Sequence, residues 1–299
     1  MVVAFEGWND AGEAATSAVR IVRDALPLVP LLEMDPELYI DYQFNRPTVG
    51  IDEHGERSIT WPGATLYGPA RRQRGGRGIV PEVPEEPRID RNNLFVLLGT
   101  EPSRSWKGFV AELVDAALVA DVEGIVMLGA MLADVPHTRP ISTFASSDDA
   151  EVRAALDLER SSYEGPVGIL SVLSDAAARV GIPSISIWAS VPHYVHNAPS
   201  PKATLALLER LEGVLDIRVP RGDLDEEASA WESGIDALAN EDEDMAAYIE
   251  QLEKARDTVD SPEASGEAIA REFERYLRRG EGGPGRPSDD PPPPWRPNS

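Results

Sequence analysis

The first two dozen residues constrain the fold more than any other stretch. Val2-Val3-Ala4-Phe5 is an unbroken run of apolar residues, the pattern of a short strand buried on both faces. After a short loop, Ala14, Ala15, Ala18, Val19 and Val22 recur at helical spacing, a small-residue face that can lie close on a sheet. Asp10 and Glu13 have capping-box spacing, so Asp10 is expected to accept from the first free N–H groups while Glu13 reaches back. Strand, loop and helix in this order are the unit of a parallel α/β sheet. The loop then lies at the carboxyl edge, where ligand crevices form. Glu6, Trp8, Asn9 and Asp10 are therefore expected to line a cleft.

Helix N-termini favour anions, but Glu6, Asp10 and Glu13 already place carboxylates at this one. Neither G-x-G-x-x-G at Gly7 and Gly12 nor a G-x-x-x-x-G-K-[ST] anywhere is complete, so no phosphate cradle is expected. The formal charge of −24 argues against nucleic acid as a partner, which requires a basic face. Residues 223–279 carry 18 acidic against 6 basic side chains, so the excess is concentrated there. With no cysteine there is no disulfide, thiolate nucleophile or Cys-ligated zinc, which fits the cytoplasm. No apolar run reaches the roughly 18 residues that span a bilayer, so no membrane partner is expected. Met1 leads directly into a core strand, so no signal peptide is expected. Lys107, Lys202 and Lys254 are the only lysines, which disfavours Schiff-base chemistry.

Further along, Val29 to Met34 reads as a second strand and Leu38 to Tyr42 as an extended continuation. Ser58 to Trp61 and Thr65 to Tyr67 flank the turn dipeptide Pro62-Gly63 and predict a hairpin. Residues 69–88 predict a loop. Leu94 to Leu98 predicts a strand, followed by a helix with Trp106, Phe109, Val110, Leu113, Val114 and Leu118 on one side. Ile125 to Leu128 and Ile185 to Trp188 predict buried strands. A polar helix is expected near Ser147 and an apolar one from Gly165-Pro166 to Val180, with Gly181 as its cap. Lys202 to Leu211 predicts a helix and Leu215 to Val219 a last strand. The alternation indicates a three-layer α/β/α sandwich with a mostly parallel mixed sheet over residues 1–222. Residues 223–279 predict an acidic helical segment, including a helix opened by Ser261-Pro262. Residues 280–299 predict a disordered Pro/Gly-rich tail.

Polar groups cluster just after the buried strands. Glu6, Glu101, His137, Arg139 and His193 are the candidate catalytic residues, and Trp8, Asn9 and Asp10 the candidate ligand cleft. Brought to one sheet edge they could do acid–base work or hydrolysis with activated water. The competing reading is that they fasten irregular loops. His193 and His196 are spaced i,i+3 but lack a third ligand, so no metal is expected, and no cofactor motif is present. Trp8, Trp106 and Trp188 are read as core residues ahead of cleft walls. Arg71, Arg72, Arg74 and Arg77 are read as a solvated loop.

Five blocks in order carry a resemblance: Phe-Glu-Gly-Trp-Asn-Asp-Ala-Gly at 5–12, Gly-Thr-Glu-Pro-Ser at 99–103, Ala-Asp-Val-Pro-His-Thr-Arg-Pro at 133–140, Tyr-Glu-Gly-Pro-Val-Gly-Ile at 163–169 and Trp-Ala-Ser-Val-Pro-His-Tyr-Val at 188–195. Together they resemble the bacterial branch, from high-GC organisms, of the proteasome assembly chaperone 2 family, over roughly residues 1–220. The resemblance implies a phosphorylase/hydrolase-like α/β/α core, homo-oligomers, and proteasome subunits or another protein client as partners. Family chaperones that dock on the proteasome often end in hydrophobic–tyrosine–any residue. This chain ends Trp295-Arg296-Pro297-Asn298-Ser299, so docking by that plug is not expected. The leading expectation is a self-associating protein-interaction module. The alternative is a small-molecule hydrolase or phosphorylase-like enzyme using the polar cleft.

Overall fold

The computed structural model describes residues 1–52, 55–70 and 94–260. In chain order its elements are β1 (Val2–Glu6), α1 (Ala14–Asp24), β2 (Leu28–Glu33), α2 (Pro36–Tyr39), β3 (Thr48–Ile51), β4 (Arg57–Thr60), β5 (Ala64–Pro69), β6 (Val96–Thr100), α3 (Trp106–Val119), β7 (Ile125–Ala133), β8 (Thr143–Ser146), α4 (Ala150–Leu156), α5 (Ile169–Arg179), β9 (Ser184–Pro192), α6 (Pro201–Leu215), α7 (Leu224–Ala239) and α8 (Glu243–Asp260). Single 3-10 turns precede α1 and follow β9.

A seven-stranded sheet runs in the order β2-β5-β6-β1-β7-β9-β8. β6, β1, β7 and β9 are parallel neighbours, while β5 and β8 run against them. Val2 to Phe5 sit at the centre with no exposed surface, as their apolar run requires. Alternate strand residues face opposite layers. Val2 and Ala4 meet Ala14, Ala15, Ala18, Val19 and Val22 of α1 and Leu207, Leu208 and Leu211 of α6. Val3 and Phe5 meet Phe109 and Leu113 of α3 and Ile169 and Leu173 of α5. Each large side chain so buried contributes about 1.5–3 kcal/mol. The fold is thus an α/β/α sandwich.

Several sequence expectations are corrected. Asp10 does accept from the start of α1, from the Ala15 N–H at 2.7 Å, the Thr16 N–H at 3.1 Å and the Thr16 hydroxyl. Glu13 does not reach back, because the Asp10 N–H donates to the Gly7 carbonyl at 3.1 Å and Glu13 itself takes a left-handed conformation. Leu38 to Tyr42 is not extended: Asp35 accepts from the Glu37 N–H and Pro36 opens the one-turn helix α2. The hairpin expected about Pro62-Gly63 does not form. β4 pairs with β3 in a separate two-stranded ribbon, and β5 pairs with β2 and β6. Leu215 to Val219 is no strand, since α6 runs to Leu215 and Asp216 ends it in a left-handed turn. β8, an edge strand, was not expected. The four arginines, most of the 69–88 loop, the helix at Ser261-Pro262 and the tail lie outside the described residues.

Candidate functional site

Because β6, β1, β7 and β9 are parallel, the loops that follow them leave the same edge of the sheet. Glu101, Glu6 to Asp10, His137 with Arg139, and His193 therefore share one rim, in that order. Side-chain bonding divides them into two groups.

In the first group Glu101 is a clasp. Its Oε1 accepts from Asn9 Nδ2 at 2.9 Å and from the Ile169 N–H, the first residue of α5, at 2.9 Å. One carboxylate thus holds the β1 loop and serves an unpaired donor at a helix N-terminus. The Glu101 N–H donates to the Glu6 carbonyl at 3.0 Å. The half-exposed Glu6 carboxylate accepts from the Thr100 hydroxyl at 3.1 Å and lies 3.6 Å from Arg20. Asn9 is buried against Gly168, where a Cβ would collide with its amide, so a larger residue there would displace Asn9. Asp10 is buried too, and burial pushes its carboxyl above the usual range despite its three donors.

In the second group the acidic helices α7 and α8 close over the rim. His137 has no exposed surface. Its N–H donates to the Tyr194 hydroxyl at 2.7 Å, its Nδ1 lies 2.9 Å from the same hydroxyl, and its Nε2 lies 3.0 Å from Asp236 of α7. In the neutral ring all three are satisfied when the tyrosine donates to Nδ1 and Nε2–H donates to Asp236. Burial pushes the Tyr194 hydroxyl up to about 12, so it stays protonated and able to donate. Lys202 donates to the His137 carbonyl at 2.5 Å and pairs with Glu232. Thr138 donates to Glu253, and Arg139 grips Asp257 and Glu253 of α8. His193 lies 3.2 Å from Asp134, with its ring edge-on to Tyr194 and Tyr248. His193 and His196 sit on the turn after β9, and His196 Nδ1 meets the His193 carbonyl at 2.8 Å. Among the described residues no three His, Cys, Asp or Glu side chains are placed to hold a metal.

A groove of about 1440 Å³ lies beside the first group. Its floor is the α5-side face of β9 and β8, where Trp188 and Ser186 stand opposite Phe144 and Ser146. Gly129 on β7 makes this floor possible: a Cβ there would stand 2.6 Å from the Trp188 ring. One wall is α5, and the other is the loop carrying Trp8, Asn9 and Asp10. Trp8 is 64% exposed and lines the groove wall instead of the core, whereas Trp188 is partly exposed on the groove floor and packs against the core from there. Trp106 donates its Nε1–H to the Pro102 carbonyl at 2.5 Å at the start of α3.

A second bare surface lies at the other end of the sheet. Every residue of β3 and β4 is exposed. Their register places Val49 opposite Ile59 and Ile51 opposite Arg57 on one face, with Thr48, Gly50, Ser58 and Thr60 on the other. The ribbon is amphipathic, yet Val49, Ile51 and Ile59 are 54%, 79% and 59% exposed.

The PAC2 family model matches residues 4–239. The chain belongs to the PAC2 family. A PAC2 family protein from Streptomyces avermitilis shares 43% identity, with 83% of this chain and 98% of that one covered at a TM-score of 0.69. A proteasome-assembly chaperone homologue from Mycobacterium tuberculosis shares 39% identity over the same fractions at a TM-score of 0.67. An archaeal homologue of proteasome-assembly chaperone from Pyrococcus furiosus, 18% identical, covers 85% of this chain and 93% of its own at a TM-score of 0.53, and so shares the fold. No curated protein matches. The PAC2 match extends through α7, whose Asp236 meets the buried histidine.

Proposed function

We propose that this chain is a cytoplasmic, self-associating protein-interaction module, with proteasome subunits as its client. The observation that carries the reading is the bare apolar face of the β3/β4 ribbon. A two-stranded ribbon is marginal in water unless its apolar face is covered, and exposed apolar patches mark association surfaces. His137 supports the same reading, because its ring is buried and engaged at both nitrogens, by Tyr194 after β9 and by Asp236 of α7. The client is suggested by kinship with the Mycobacterium homologue.

Light scattering on size-exclusion fractions tests self-association. Wild type is expected at a multiple of the monomer mass. Ile51→Ser/Ile59→Ser is expected at the monomer mass with an unchanged circular dichroism spectrum. Wild type monomeric at every concentration overturns the reading. Mixing with proteasome α subunits tests the client, for which co-elution is expected; separate elution removes the proteasome from the proposal.

A further inference from the structure

We infer that the β3/β4 ribbon of one copy seats its apolar face on the Trp188/Phe144 floor of the groove in a second copy, joining copies head to tail. The inference rests on self-association and names the two surfaces that meet.

Three observations carry it. The surfaces match in kind. The ribbon offers Val49, Ile51 and Ile59 on one face. The groove offers Trp188, Phe144, Met131 and Leu132, and Phe144, Met131 and Leu132 are 43%, 39% and 47% exposed. At about 1440 Å³ the groove exceeds the roughly 300–1,000 Å³ of small-molecule pockets, a size suited to a polypeptide ribbon.

The charges also match. Arg57 lies on the apolar face of the ribbon, opposite Ile51. Of the acids that line the groove, Asp148 pairs with Arg160, Asp175 with Arg179, and Asp149 caps α4, while Glu159 stands exposed on the groove wall. A long-stemmed guanidinium there finds aromatic surface for its stem and the Glu159 carboxylate for its head. Such complementarity sets register and disfavours wrong partners.

Finally, the two surfaces do not meet within one chain: every residue of β3 and β4 is exposed and none of them lines the groove. The ribbon leaves the sheet between β2 and β5, while the groove lies over β9 and β8. From β5 to β9 is four strand spacings, about 19 Å. Each copy therefore keeps one ribbon and one groove to offer, a heterologous contact that propagates until a ring closes.

The test is a complementation experiment with Ile59→Asp, which spoils the ribbon, and Phe144→Asp, which spoils the groove floor. Both positions are exposed, and circular dichroism checks that each variant is folded. In native mass spectrometry, at a concentration where wild type is assembled, each variant alone is expected to be monomeric. An equimolar mixture is expected to give a heterodimer that grows no further, because only one intact ribbon and one intact groove remain. Phe144→Asp assembling like wild type overturns the docking while leaving self-association standing. A mixture that stays monomeric overturns it, because the intact ribbon of one variant then does not dock in the intact groove of the other. A monomeric wild type overturns both this inference and the reading it rests on.

Discussion

Arg139 and Asp257 stand 118 residues apart in sequence and meet as a two-pronged pair, Nε to Oδ1 at 2.7 Å and Nη2 to Oδ2 at 2.8 Å. The guanidinium holds the Asp257 carboxyl below its usual range, and Asp257 raises the arginine in turn. This fork fixes α8 on the loop after β7, a geometry lysine cannot reproduce. Arg139→Lys is expected to keep the charge, lose the fork and speed amide exchange in Glu243–Asp260 while the sheet stays protected. Unchanged exchange in that helix contradicts the clamp.

Glu101 serves two donors, so its loss strands both. Glu101→Ala leaves the Ile169 N–H and the Asn9 amide without their acceptor, at about 1–3 kcal/mol. For a chain of this size that lowers the thermal midpoint by about 2–4 °C per kcal/mol. Glu101→Gln retains an acceptor oxygen and is expected to lose less. Thermal unfolding of both variants checks the order.

Two buried carboxylates pull stability in opposite directions with pH. Burial outweighs the donors at Asp10 and raises its pKa, so the native state takes up that proton first and the contribution is lost as pH rises through the raised value. At Glu212 burial opposes the charge, but the Val219 N–H at 2.7 Å and the Arg221 guanidinium outweigh it and lower the pKa. Its contribution is complete above the ordinary glutamate value of about 4.3 and is lost as pH falls through the depressed one. Denaturant midpoints against pH are expected to flatten at the acid end in Glu212→Gln, and to lose the decline with rising pH in Asp10→Asn.

Gly129→Ala places a methyl group where the Trp188 ring lies. Overpacking of this kind costs about 1–3 kcal/mol. The variant is expected to fold less stably, with Trp188 lifted from the sheet and its emission shifted to the red. Trp188→Phe serves as the spectral control. An unshifted spectrum contradicts the close stacking.

The central sandwich was legible because its signals are local. Val2 to Phe5, the Ala14 to Val22 face and the Phe109 to Leu118 stripe each declare their burial within one element, although Leu118 is 46% exposed. Pairing is not local. Pro62-Gly63 was read as a hairpin turn, yet Ala64 and Leu66 alternate inward and take β5 into the main sheet, leaving β4 to β3. Asp35-Pro36 did carry a helix-start signal that could have revealed α2. Leu215 to Val219 had strand-like composition, but β2 and β8 hold the sheet edges. The groove was legible only through Trp8, Asn9 and Asp10, since Phe144, Val167, Ser174 and Trp188 join them through tertiary structure alone. The apolar stripe through Met245, Tyr248, Ile249 and Leu252 announced a helix where α8 lies, while nothing local showed that Asp236, Glu253 and Asp257 close over the His137 loop.

The ribbon is the surface on which the functional reading stands, and amide exchange at Thr48–Ile51 and Arg57–Thr60 measured against protein concentration tests it most directly. Covering the ribbon with a second copy predicts protection that rises with concentration and disappears in Ile51→Ser/Ile59→Ser. Exchange at those amides that is independent of concentration in wild type contradicts it.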